Sequence, residues 1–251
     1  MGVILHSYLF LVGLALGSFF NVVGLRVPVK RSIVAPRSSC PTCERVLSPL
    51  ELIPVLSYLI QRGRCKGCSS KISPIYAAIE FVTACLFTIT PFLVGWSKEL
   101  LISYGLISLL VIVFVSDISY MLIPDKILLF FTAYFIVGRV FVPMDPWFSP
   151  VIGAVTGFLL LLIIAVISKG GMGGGDIKLF AVLGLVFGFQ EILLVFFFST
   201  LCGSIIGITA LLSGKAKRKQ HIPFGPSIAL GAIITYFYAE PILNWYFSFL
   251  S

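Results

Sequence analysis

The chain has 251 residues, of which 59% are hydrophobic and only 11% are charged, and its mean hydropathy is +1.08. A soluble domain has about 45–50% apolar and about 25% charged residues, so this composition excludes an ordinary soluble fold. The low charge indicates a protein embedded in lipid. The formal net charge of +8 has three possible explanations, namely a nucleic-acid partner, contact with anionic lipid, or basic residues that set the membrane topology. The distribution of the basic residues along the chain distinguishes them.

Long apolar stretches recur along the chain, at or near the roughly 20 residues that a bilayer-spanning helix needs. The expected fold is an all-α polytopic integral membrane protein. We predict eight transmembrane helices, at residues 3–25, 76–96, 100–117, 126–142, 150–168, 178–190, 192–213 and 223–248. Only Gln190 and Glu191 separate the sixth stretch from the seventh, so a seven-span or re-entrant alternative stays open.

The basic residues predict the orientation, because lysine and arginine are retained on the cytoplasmic side of a membrane. With the N terminus outside, sixteen of the eighteen basic residues fall on the cytoplasmic side, leaving only Lys98 and Arg139 outside. The chain then divides into a first transmembrane helix (1–25), a cytoplasmic loop (26–75) and a helical core (76–251). The positive charge is therefore explained by membrane topology and by contact with anionic lipid. No nucleic-acid partner is expected, because no basic stripe is interleaved with exposed aromatic residues.

The cytoplasmic loop carries two Cys-x-x-Cys pairs separated by twenty-one residues, namely Cys40 with Cys43 and Cys65 with Cys68. This spacing is close to that of four-cysteine zinc sites. Disulfide bonds or a redox role are the alternative, but the cytoplasm is reducing and disfavours them. We therefore expect a structural Zn²⁺ ion, because four sulfur ligands leave no open position for water.

Three of the four aspartates lie at the predicted cytoplasmic membrane boundary, where an ionisable group is costly and indicates a function. Asp117 ends the third predicted span, Asp125 follows Pro124, and Asp176 ends the glycine-rich segment 170–176. Asp125 is interpreted as a helix cap, near the positive end of the fourth helix. Asp176 is open to the same interpretation, although five glycines in six residues exceed what a cap requires.

The glycine-rich segment lacks the Gly-Lys-Ser/Thr ending of a phosphate-binding loop and follows a membrane span, so nucleotide binding is not expected there. Its glycines instead offer an extended strip without side chains, which a substrate backbone can approach closely. If Asp117 and Asp176 converge, the two carboxyl groups share one proton, because like charges so near cannot both ionise. One then activates water while the other donates a proton, as in aspartic proteases.

The sequence resembles the type IV prepilin peptidases, a GxGD-type aspartic protease family that includes the late-competence leader peptidases of naturally transformable bacteria. The resemblance covers almost the whole chain. It rests on the segments 16–23, 52–59, 62–65, 117–125, 173–179 and 223–226, together with Arg26, Glu80 and both cysteine pairs.

The resemblance implies that Asp117 and Asp176 are the catalytic pair, with Gly173, Gly174, Gly175 and Lys178 in the site loop. It implies cleavage of the short basic leader of prepilin or pseudopilin precursors at the cytoplasmic face of a bacterial cell membrane. It also implies N-methylation of the new N terminus by S-adenosylmethionine. Glu44, Arg62, Arg64 and Glu80 are then candidate cofactor or substrate contacts, with solvated loop charges as the alternative.

Two other classes of function remain open. A proton-coupled transporter would also contain intramembrane aspartates and glycine-broken helices, but here the aspartates are predicted at the membrane edge and no inverted repeat is visible. A scaffold built on the zinc loop would leave Asp117 and Asp176 unexplained.

Overall fold

The computed structural model describes residues 2–169, 171–214 and 223–248. Helices dominate these residues, and the only β-structure among them is two isolated bridges. The helices are α1 (Gly2–Arg26), α2 (Leu56–Ile60), α3 (Pro74–Val94), α4 (Glu99–Tyr120), α5 (Asp125–Phe141), α6 (Ser149–Ile167), α7 (Gly174–Leu212) and α8 (Gly225–Ser248). A short 3₁₀ turn, Pro49–Leu52, precedes α2.

Six of the described helices are long and apolar enough to cross a membrane, namely α1, α3, α4, α6, α7 and α8. The 17-residue α5 coincides with the fourth predicted span. The prediction of an all-α, multi-pass membrane fold is therefore confirmed.

Helix α7 is 39 residues long but is not continuous. Gly188 has φ 70° and ψ −170°, which is not a helical conformation. In a continuous helix, Phe180 and Phe196 would be about 24 Å apart, at 1.5 Å per residue. Their ring centroids lie only 6.3 Å apart, so the chain reverses at Gly188. The sixth and seventh predicted spans are thus two antiparallel arms, 174–187 and 189–212. The predicted boundary at Gln190 and Glu191 was wrong by two residues.

The chain forms two compact units, of which the first ends at Trp96. In this unit α1 packs closely on α3, because Gly13 and Gly17 present no side chain to it. A Cβ at Gly13 would lie 2.6 Å from the Ala84 Cα, and one at Gly17 would lie 2.9 Å from the Glu80 Cα. Small residues at this spacing let membrane helices approach closely. The unit therefore contains α1, the cysteine loop and α3.

The second unit begins at Ser97 and is built around α4, whose Ile102, Leu109 and Val113 are completely buried. Helices α5 and α8 pack against α4, and α6 packs against α7. The α6–α7 contact depends on glycine, since a Cβ at Gly157 would lie 2.5 Å from the Phe180 carbonyl oxygen. An apolar helix buried on all sides can carry an ionisable residue into the protein rather than into lipid.

Gly188 is the residue on which the reversal of α7 depends. Its φ of 70° disfavours any side chain, and a Cβ there would collide with the Ser149 hydroxyl. We expect Gly188→Ala to lower the free energy of unfolding by about 1–3 kcal/mol, seen as a lower midpoint of thermal unfolding in detergent. Gly174→Ala is the matched control, because nothing lies within 4 Å of a Cβ there. Equal midpoints for the two variants would contradict the assigned reversal.

Candidate active site and metal centre

Asp117 lies in the last turn of α4, and only 6% of its surface is exposed. Its Oδ2 accepts a 2.7 Å hydrogen bond from the Gly225 N–H, the first backbone amide of α8. The first amides of a helix have no partner within the helix, and they favour an acceptor that carries negative charge. A Cβ at Gly225 would lie 2.8 Å from the Asp117 Cβ, so this contact requires glycine.

Asp176 lies in the first turn of α7 and is half-buried. Gly173 is the N-cap residue and lies close to the carboxylate, since a Cβ at Gly173 would lie 3.0 Å from the Asp176 Oδ2. The Asp176 N–H donates to the Gly173 carbonyl at 3.1 Å. An acidic residue three positions after the N-cap commonly lies near the N-cap amide, as in a capping box. The Asp176 carboxylate therefore lies beside the N-cap residue, where the capping interpretation expects it.

The structure brings the two predicted catalytic residues together within the second unit. Their carboxyl groups lie close enough for Asp117 to act electrostatically on Asp176. The turn after α4 helps to set this arrangement, because a Cβ at Gly175 would lie 2.9 Å from the Ile123 Cβ. Asp117 and Asp176 thus come from the end of one helix and the beginning of another, and a backbone amide of α8 holds Asp117.

The glycine-rich segment differs from the extended strip that we expected. Gly173 is extended, with φ −69° and ψ 139°, but Gly174 and Gly175 already form the first turn of α7. Ile123 covers Gly175, whereas a Cβ at Gly174 would meet nothing within 4 Å. Close approach by a substrate backbone is therefore open at Gly173 and Gly174. Gly170 lies outside the described residues.

Asp125 does not cap its helix in the way that we expected. The N-cap of α5 is Pro124, and no side-chain hydrogen bond caps the helix. Both carboxylate oxygens of Asp125 instead accept from the Lys178 Nζ, at 2.8 and 2.9 Å. This ion pair joins α5 to the first arm of α7, but both side chains are largely exposed, so it stabilises the fold little.

The four loop cysteines form a compact cluster in the first unit. All four Sγ atoms lie within 4.8 Å of one another, with Cys40 to Cys68 at 3.8 Å and Cys43 to Cys65 at 4.0 Å. Bonds of about 2.3 Å to a tetrahedral zinc ion would place the sulfur atoms about 3.8 Å apart. The cysteines are free thiols, as the prediction of a metal site rather than disulfides requires. The four residues can hold a metal ion.

The two cysteine pairs share one backbone pattern. The residue after each second cysteine, Glu44 or Ser69, is left-handed and donates its N–H to the carbonyl of the first cysteine at 2.9 Å. The N–H of each first cysteine donates in turn to Arg45 or Ser70. Repetition of this turn points all four thiols towards one centre.

Arg45 links the cysteine cluster to the 3₁₀ turn. Its guanidinium donates to both carboxylate oxygens of Glu51, at 2.7 and 3.0 Å, and approaches the Cys65 Sγ at 4.0 Å. This hydrogen bonding, with the Ser48 N–H, lowers the pKa of Glu51 to about 2. Glu51 is therefore a structural anion and is not free to contact a substrate.

The four candidate cofactor contacts differ in their surroundings. Glu44, Arg62 and Arg64 are exposed, and none forms an ion pair within the described residues. Glu80 is instead engaged, since its Oε2 accepts from the Val55 N–H at 2.8 Å. Val55 has φ 61° and ψ −52°, a strained conformation for a β-branched residue, and the Glu80 carboxylate holds it.

Two residues that shape the site, Gly225 and Ile123, are not predicted by the sequence reasoning. Gly225 belongs to the segment 223–226, and a helix start beside two prolines is the signal that could identify it. Ile123 carries no such signal in the sequence. An apolar residue before a proline does not indicate that its side chain will pack on Gly175.

Comparison with known proteins identifies two matching domain families and several relatives. Residues 11–94 match the bacterial peptidase A24 N-terminal domain, and residues 104–208 match the type IV leader peptidase family. The prepilin leader peptidase/N-methyltransferase of Bacillus subtilis is 50% identical, over 96% of this chain and 97% of its own. Proteins of the same name from Myxococcus xanthus and Aeromonas salmonicida are 36% and 34% identical, over 96% of this chain and 74% and 94% of theirs. No solved structure matches.

The chain therefore belongs to the type IV leader peptidase family. The transporter alternative finds no support in these comparisons.

The sulfur geometry predicts that purified protein contains about one equivalent of zinc, because one tetrahedral ion takes all four thiolates. Cys40→Ser should lose the metal, as measured by elemental analysis of protein in detergent. Cys85→Ser is the matched control, since Cys85 lies in α3 outside the cluster. Wild-type protein without metal, or equal metal loss in both variants, would refute the assignment.

Proposed function

We propose that this protein is a membrane-embedded aspartic endopeptidase that cleaves the short basic leader from prepilin-like precursors. The observation that carries the proposal is the convergence of Asp117 and Asp176 at the ends of two helices, with Asp117 bonded to the first amide of α8. Membership of the leader peptidase family and the names of the relatives support the same substrate class.

The arrangement provides the parts of an aspartic protease. Two neighbouring carboxyl groups share one proton, so one acts as a base on water while the other donates to the scissile carbonyl. The Gly225 N–H fixes Asp117 through Oδ2, which leaves Oδ1 to hold the attacking water. The exposed Gly173 and Gly174 permit an extended peptide to lie beside Asp176 without meeting a side chain.

The metal centre and the second activity belong to the first unit. We propose that Cys40, Cys43, Cys65 and Cys68 hold a structural Zn²⁺, which organises a loop with little apolar sequence of its own. The relatives' names include N-methyltransferase, and S-adenosylmethionine supplies the methyl group in such a reaction. Glu44, Arg62 and Arg64 are the exposed charges that we propose for cofactor or substrate contact, with Glu80 ordering the adjoining Val55 turn.

We propose that the protein lies in a bacterial cell membrane with its N terminus outside. The aspartates and the zinc loop then face the cytoplasm, together with most of the basic residues and anionic lipid headgroups.

Loss of either catalytic carboxylate should abolish cleavage. We expect Asp117→Asn and Asp176→Asn each to process a co-expressed prepilin-like precursor at least about 1,000-fold more slowly, because the amide can neither accept nor share the proton. Immunoblotting of precursor and product measures the effect.

Asp145→Asn is the matched control, since Asp145 lies in the turn between α5 and α6. Asp125→Asn should retain most activity, because its exposed ion pair with Lys178 contributes little stability. Normal processing by either Asp117→Asn or Asp176→Asn, with the variant present in the membrane, would eliminate this catalytic pair.

Methyl transfer should depend on residues of the first unit that leader cleavage does not need. On a pilin-like substrate that has already lost its leader, Arg62→Gln with Arg64→Gln should slow methyl transfer about tenfold or more, because hydrogen bonds from charged groups are lost. Transfer of a labelled methyl group from S-adenosylmethionine measures this rate. Arg37→Gln, another exposed arginine of the loop, is the control. Unchanged methyl transfer, or an equal loss of cleavage, would count against these contacts.

A further inference from the structure

The reversal at Gly188 creates a local problem in hydrogen bonding. The last carbonyl groups of the first arm of α7, 174–187, have no amide partner within that arm. An unsatisfied carbonyl inside a membrane protein costs several kcal/mol, so these groups need partners from elsewhere in the protein.

Arg139, in the last turn of α5, supplies partners for two of these carbonyl groups. Its Nε donates to the Leu185 carbonyl at 3.4 Å, and its Nη2 donates to the Val186 carbonyl. Its Nη1 pairs with the Glu99 Oε2 at 3.1 Å. Only 10% of the Arg139 side chain is exposed, so the guanidinium lies inside the protein although the sequence indicated an outer topology residue.

The partners of Arg139 connect it to the helices that build the candidate active site. Glu99 begins α4, and its Oε1 accepts from the Tyr236 hydroxyl of α8 at 3.1 Å. Tyr236 also bonds to Ser103 of α4 at 2.8 Å. The network thus joins α4, the middle of α8 and the first arm of α7. Asp117 and Asp176 lie at the ends of α4 and of the arm that are opposite the network, and Gly225 begins α8.

We propose that Arg139 is a positioning residue, which fixes the first arm of α7 along its axis and thereby places Asp176 against Asp117. The inference rests on the proposed function for its catalytic consequence. The arm is only about 21 Å long, so a displacement at one end reaches the other. Lysine cannot replace arginine here, because three fixed N–H directions serve two carbonyls and one carboxylate.

The position of the arm can be tested without any activity assay. Arg139→Met should speed amide hydrogen exchange across 174–187 by about tenfold or more, while exchange across the core of α4 stays unchanged. Lys98→Met is the matched control, since Lys98 is an exposed basic residue beside Glu99 and forms no ion pair among the described residues. Unchanged exchange across the arm would overturn the proposal, and so would an equal increase in Lys98→Met.

The catalytic consequence is measured on the folded fraction of each purified variant. Arg139→Met should lower kcat for leader cleavage about 100-fold with KM within about twofold, because a displacement of about 1 Å has that effect. Millimolar guanidinium should restore part of the rate in Arg139→Ala, whereas ammonium should not. A merely unfolded variant would show neither the kcat–KM split nor the rescue.

Failure of the proposed function and failure of the positioning role of Arg139 would give different results in these measurements. If Asp176→Asn cleaved normally while Arg139→Met still loosened the arm, the positioning would stand and the catalytic assignment would fall. If Asp176→Asn were inactive while Arg139→Met kept its wild-type kcat, Arg139 would not position the catalytic group.

Discussion

The charged groups that matter most in the second unit lie against helix ends. Asp117 accepts from the first amide of α8, and Asp176 lies beside the N-cap residue of α7. Arg139 donates to the carbonyls that the first arm of α7 leaves unpaired. Helix ends are the only parts of a helical backbone with free donors and acceptors, so an active site in a helical membrane protein is naturally built from them.

Glycine makes these contacts possible, by providing either space or backbone conformation. Gly225 contributes space, since any side chain there would occupy the position of the Asp117 carboxyl group. Gly188 contributes conformation, since its positive φ lets the chain reverse within one residue. At Gly174 the open space faces outward, towards the side from which we propose that substrate approaches. A count of glycines in the sequence does not separate these roles, because only the surroundings of each glycine distinguish them.

Composition and periodicity predicted the number and position of the apolar segments, because hydropathy is a property of each segment alone. The reversal of α7 was misplaced because Gln190 and Glu191 were the only polar residues near it, while the true break is a glycine within an apolar run. The ion pair of Asp125 with Lys178 joins residues 53 positions apart, and Arg139 bonds to a carbonyl 46 positions away. Hydrophobic periodicity carries no information on such pairing, so the sequence indicated which residues were unusual but not their partners.

Both aspartates lie on well-packed helices. Helix α4 is buried along most of its length, and in the first arm of α7 Leu179, Phe180 and Leu183 are completely buried. The arm differs from α4 in ending at a chain reversal, where Arg139 bonds to two of its carbonyl groups, and in beginning at an open glycine turn. We therefore propose that the relative position of the two carboxyl groups is adjusted at the end of this arm opposite Asp176, by a residue that does not contact the substrate.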